Sequence, residues 1–168
     1  MPKHIFLIAL LLSLFFSCKQ ASERPVQQSQ PKTIEDIEQQ IIREVQGLTL
    51  ALDNRLTKLT PKTVNFPTED GKGIQLQVQL WIEGENPLKL AAFVPNAKQE
   101  LEETSAYYFA GENIFFARSP TFRFIFIDSQ LKYWLDADWN IMPMDQAAKE
   151  ERQLWIEDEA AQYFSVFN

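Results

Sequence analysis

The stretch from Ser105 to Asp136, SAYYFAGENIFFARSPTFRFIFIDSQLKYWLD, constrains this chain more than any other part of it. It gathers aromatic and β-branched residues into short runs, and such side chains suit a pleated, half-buried surface better than a helix. The runs break at Gly111, at Ser119-Pro120 and at Asp128-Ser129, residue types that favour chain reversal. Every connection is too short to carry a crossover helix, so neighbouring runs must lie antiparallel. The stretch predicts the heart of an antiparallel sheet.

Residues on its N-terminal side extend the pattern. Ile74, Leu76, Val78, Leu80 and Ile82 alternate with Gln75, Gln77, Gln79 and Trp81, a period of two with one dry face and one wet. A turn at residues 84–87 leads to a second strand over 88–94, and Pro95 begins another break. Strands over 100–110, 114–118, 121–128 and 131–135 follow, while Thr60 to Gly73, TPKTVNFPTEDGKG, reads as a loop. Helices flank the sheet. Thr33 has the chemistry of an N-cap, and Ile34, Ile37, Ile41, Ile42, Val45, Leu48, Leu52, Leu56 and Leu59 recur at the spacing of one helical face, with Pro61 as the stop. Residues 145–164 carry a second helix, more charged in its middle. With 45% hydrophobic residues over 168 positions there is material for one core. The expected fold is α+β: an N-terminal amphipathic helix, a five- to six-stranded antiparallel meander and a C-terminal helix, with the helices mainly on one face of the sheet.

Before the first helix the composition changes twice. Lys3 and His4 precede IFLIALLLSLFF, an uncharged run of twelve residues that is too short for the roughly 20 needed to span a bilayer. A charged start, an apolar middle and a small residue at the break together predict a signal peptide over residues 1–17. The sole cysteine, Cys18, follows directly, and LFFSC resembles the lipobox of bacterial lipoproteins. That resemblance implies lipidation of Cys18 and attachment to a membrane through several acyl chains; Lys19, where an Asp would imply inner-membrane retention, implies the outer membrane of a Gram-negative cell. From Lys19 to Lys32 the chain is Gln, Ser, Pro and charge with a single Val, the composition of a flexible tether, so residues 18–32 are expected to link the anchor to a single domain over 33–168.

The segments AYYFAGENIFFAR and DSQLKYWLD resemble a pattern in small uncharacterised Gram-negative lipoproteins, in which a YYF hairpin is followed by a turn and an aromatic-Trp-Leu-Asp strand. Those proteins are similar to the PepSY-like and β-lactamase-inhibitor-protein-like folds, where helices cover one side of a four- or five-stranded antiparallel sheet. The resemblance implies a fold and a compartment, and brings no catalytic residues with it.

Composition narrows the chemistry. Loss of residues 1–17 removes Lys3 and the only histidine, leaving 15 Lys and Arg against 23 Asp and Glu, a formal net charge of −8 that argues against nucleic-acid binding. Without imidazole, and with its one thiol acylated, such a chain lacks the common general base, the Ser-His and Cys-His nucleophile pairs and nearly all zinc sites. No cofactor, catalytic residue or metal site is expected. Asp136, Asp138 and Asn140 have the opening spacing of a calcium loop, but Ile141 and Ala147 stand where Gly and Glu belong, so a polar turn is the simpler reading. The strands from Ala106 to Leu135 are apolar on both sides, which predicts a face including Trp81, Phe93 and Trp134 open to an envelope protein or peptide partner. The alternative is that the C-terminal helix or a loop covers that face. The expected function is a non-catalytic interaction module; a structural envelope lipoprotein or a carboxylate-dependent hydrolase are the alternatives.

Overall fold

The structure, a computed structural model, describes residues 33–167. The predicted signal peptide, the lipidated Cys18 and the tether lie outside the described residues. From Ile34 onward the chain forms one compact unit. Helix α1 (Ile34–Leu56) is followed by strands β1 (Lys62–Pro67), β2 (Ile74–Glu83), β3 (Asn86–Pro95), β4 (Leu101–Ala110), β5 (Asn113–Arg118), β6 (Phe122–Ile127) and β7 (Gln130–Asp136), then helix α2 (Gln146–Ser165). All seven strands join one antiparallel sheet in sequence order, the expected meander. The fold is α+β.

The sheet has seven strands, against the five to six expected. The segment read as a loop contains β1, whose Val64 and Phe66 turn inward opposite Val78 and Leu76. Pro61 and Pro67 bound it, which suits an edge strand that few neighbours support. At the other edge, β7 is closed by side chains from α2: Gln153 accepts from the Leu131 amide at 2.9 Å and donates to the Ser129 carbonyl, and Lys149 donates to the Lys132 carbonyl.

The helices take opposite faces, which corrects the expectation of one covered side. Against α2 lie Leu80, Leu90, Tyr107, Ala117, Phe124 and Trp134, with Ile156 and Ala160 contributed by the helix. Against α1 lie Ala91, Ala106, Tyr108, Phe116, Ile125 and Leu135, with Ile42 and Val45 from the helix. The physical reason sits in β4, where five successive residues from Ser105 to Phe109 are buried. Period-two alternation sends them to both sides, and each side must be covered.

Local chemistry sets the corners. Asp145 caps α2 by accepting from the Ala148 amide at 2.8 Å. The β6–β7 connection places both Asp128 (φ 51°) and Ser129 (φ 58°) in the left-handed region, as a two-residue hairpin of this twist requires. Gly111 does the same at φ 63° between β4 and β5. A Gly111→Val variant is expected to lose about 1–2 kcal/mol of stability, because a Cβ in the left-handed region crowds the following carbonyl oxygen. Thermal unfolding followed by circular dichroism checks this, and an unchanged melting temperature would remove the turn assignment.

Candidate functional site

The three aromatic residues expected to share a binding surface do not share a face. Trp134 lies beneath α2 with Phe122 and Phe124 at ring distances of 5.6 and 5.5 Å, and the Arg152 guanidinium stacks 4.9 Å from its ring centre. Trp81 and Phe93 are half-buried on the α1 face. The single aromatic platform is therefore corrected: α2 covers one third of it.

What the α1 face holds instead is a charge cluster. In β3, Lys89 is buried, with its Nζ 3.3 Å from Asp53 Oδ1 and 3.0 Å from Glu103 Oε2. Arg118 Nε donates to Glu103 Oε1 at 2.7 Å, its Nη1 lies 3.6 Å from Asp53 Oδ2, and the Tyr108 hydroxyl donates to Asp53 at 2.9 Å. Register explains how Glu103 arrives there. The pairing shifts where Ala92 faces Ser105 and Phe93 faces Glu103, so Thr104 is the extra residue of a β-bulge. Without the bulge, alternation would send Glu103 to the α2 side, since Ala106 and Tyr108 already hold the α1 side. Asp53 comes from α1, four residues past the buried Thr49.

Two cations and two carboxylates match within the cluster. Burial pushes the Glu103 carboxyl up, but the Arg118 hydrogen bond and the Lys89 and Arg118 charges outweigh it and hold the group below its usual range. Burial drives the Tyr108 phenol far above its usual range; Arg118 opposes that and the Asp53 and Glu103 charges add to it. Tyr108 thus remains a proton donor to Asp53, and Glu103 remains an anion between two cations. These are the properties of a clasp that fixes α1 to β3, β4 and β5, with its polar valences turned inward.

The Asp136 turn is likewise self-contained. The Asp136 carboxylate accepts from the backbone amides of Asp138 and Asn140 at 2.8 and 2.9 Å and from the Asn140 side chain at 2.9 Å. It forms the polar turn, and its consequence is to set Trp139, at φ 68°, flat against Phe116 with ring centres 5.3 Å apart. No group of three or more potential metal-ligating side chains occurs among the described residues.

Alongside the clasp a different surface opens. A groove of about 550 Å³ lies between Leu48, Ala51 and Leu52 of the helix and Ala110, Phe115 and Phe126 of the strands. A second bulge helps to build it. Tyr108 pairs with Phe116 and Phe109 with Ile114, so Phe115 is the extra residue and falls beside Phe116 on the α1 side. Arg55 at the rim is ion-paired with Glu83, and Leu48 is 60% exposed. The volume falls within the range of sites that take ligands or partner side chains.

Fold and surface together define an α+β protein with one open seven-stranded sheet, a helix on each face and an apolar groove along the first helix. No protein-family profile, curated protein or solved structure matches the chain.

Proposed function

We propose that this chain is a lipoprotein of the Gram-negative envelope, of the PepSY-like kind its hairpin pattern resembles, anchored in the outer membrane through Cys18. Its folded domain is a non-catalytic interaction module for a protein or peptide partner. The observation that carries the reading is a division of labour. The titratable cluster of Asp53, Lys89, Glu103 and Arg118 is committed to itself, whereas the groove beside α1 is lined by aliphatic and aromatic side chains with one arginine at its rim. An apolar hollow of that kind supports binding and offers no proton donor or acceptor pair for turnover. The tether of fourteen residues, at about 3.3 Å each, would let the domain meet partners within roughly 45 Å of the membrane surface.

The test is mass spectrometry of the N-terminal peptide from native envelopes. A peptide beginning at Cys18 and carrying acyl mass is expected; one that begins elsewhere, or at an unmodified Cys18, overturns the anchoring.

A further inference from the structure

We propose that the exposed flank of α1 docks on the same flank of a second copy of this chain, with the two helices antiparallel. The inference rests on the reading of the domain as an interaction module and names its partner. Ile37, Ile41, Glu44, Leu48, Ala51 and Arg55 follow one another at alternating spacings of four and three, the stripe that faces a partner helix. Only part of that stripe meets the sheet. Ile37 is 46% and Leu48 60% exposed, while the buried residues of α1, Ile42, Val45, Thr49 and Leu56, lie on the adjoining side. The helix is apolar over a wider arc than its own fold uses, and the surplus arc borders the groove.

The identity of the occupant follows from self-complementarity. A two-fold axis crossing the helix between Thr49 and Leu50 brings Leu48 of one copy opposite Ala51 of the other, large against small, and twice over by symmetry. The same axis sets Glu44 opposite Arg55. A parallel arrangement would instead oppose Glu44 to Glu44 and Arg55 to Arg55. Arg55 keeps donors for a second carboxylate beside Glu83, and Glu44, which accepts from Gln40 at 2.7 Å, keeps acceptor capacity. Anchoring in one plane would raise the local concentration of copies and favour even a modest interface.

Charge exchange provides the test. Full-length wild type, Glu44→Arg and Arg55→Glu are each purified in the same detergent, with circular dichroism confirming the fold, and sized by sedimentation velocity. Wild type is expected to be dimeric. Each variant opposes like charges at two symmetric contacts and should dimerise about tenfold more weakly or worse. Mixed one to one, the two variants regain opposite charges at both contacts. At one, the arginine introduced by Glu44→Arg meets the glutamate introduced by Arg55→Glu; at the other, the native Arg55 of the first variant meets the native Glu44 of the second. The dimer should therefore return. A monomeric wild type, folded variants that dimerise as wild type does, or a mixture that stays monomeric would each overturn the proposal. Acylation of Cys18 is measured separately, so the anchoring stands or falls independently of the dimer.

Discussion

Replacing Lys89 with alanine is expected to destabilise the domain by about 3 kcal/mol or more, among the largest losses available from a single polar side chain here. The ammonium is buried, lies within 3.3 Å of two carboxylates, and sits over the rings of Trp81 and Tyr108 at 5.5 and 5.0 Å. Deletion leaves Asp53 and Glu103 with Arg118 as their one shared cation and opens space under α1. Converting the strand pair together, Lys89→Met with Glu103→Leu, should cost clearly less than the two single changes added, because no partly buried charge is then abandoned. Urea unfolding monitored by tryptophan fluorescence measures each corner of that cycle. A Lys89→Ala loss below about 1 kcal/mol, or strict additivity, would show that the cluster does not act as a clasp. The pH dependence has a defined sign. Because the Glu103 carboxyl is held below its usual range in the folded protein, its contribution is complete above the unfolded value near 4.5 and is lost as pH falls through the lower folded value. The gap between wild type and Lys89→Ala should therefore be widest near neutrality and narrow on the acid side of about pH 4.

The clasp could not be read from the sequence, although its members are visible there. Lys89 stands alone inside LKLAAFV, a charged residue in an apolar strand, and Asp53 falls on the packed side of an amphipathic helix; both are anomalies that ask for partners. Which carboxylate answers Lys89 depends on the Thr104 bulge, and a bulge is a property of register between two strands, which one strand's own pattern does not encode. The strand runs of β2 to β7, the reversals at Gly111 and Asp128-Ser129, and the presence of both helices were legible, since each rests on local geometry, although α1 stops at Leu56, short of the expected Leu59. β1 was hidden for the opposite reason. Its six residues carry only two inward apolar side chains between prolines, and the pairing with β2 supplies what local preference lacks. The assignment of helices to faces needed a global argument too. Five consecutive buried residues in β4 demand cover on both sides, a demand that the sequence hinted at through tyrosines and phenylalanines adjacent in the chain. For the groove, the stripe on α1 was the available signal: it is broader than one sheet face can bury, and the excess has to meet solvent or a partner.

Placing residues 18–168 behind an ordinary cleavable secretory leader, with Cys18→Ser, is expected to move essentially the whole population from the membrane to the soluble fraction. Several acyl chains, each contributing roughly 0.8 kcal/mol per buried CH₂, anchor durably, while even one chain alone binds only marginally. A net charge of −8 is repelled by anionic head groups, and among the described residues no helix is long and apolar enough to cross a bilayer. Fractionation and flotation of the variant beside wild type decide the matter, with circular dichroism showing that the domain still folds. The same experiment separates two occupants of the α1 flank. If Leu48 and its neighbours met a second copy, the serine variant would leave the membrane and remain a dimer in solution. If they met lipid, it would still float with vesicles, and the paired helices would have to be abandoned, while acylation of Cys18 would still be decided by the mass of the N-terminal peptide.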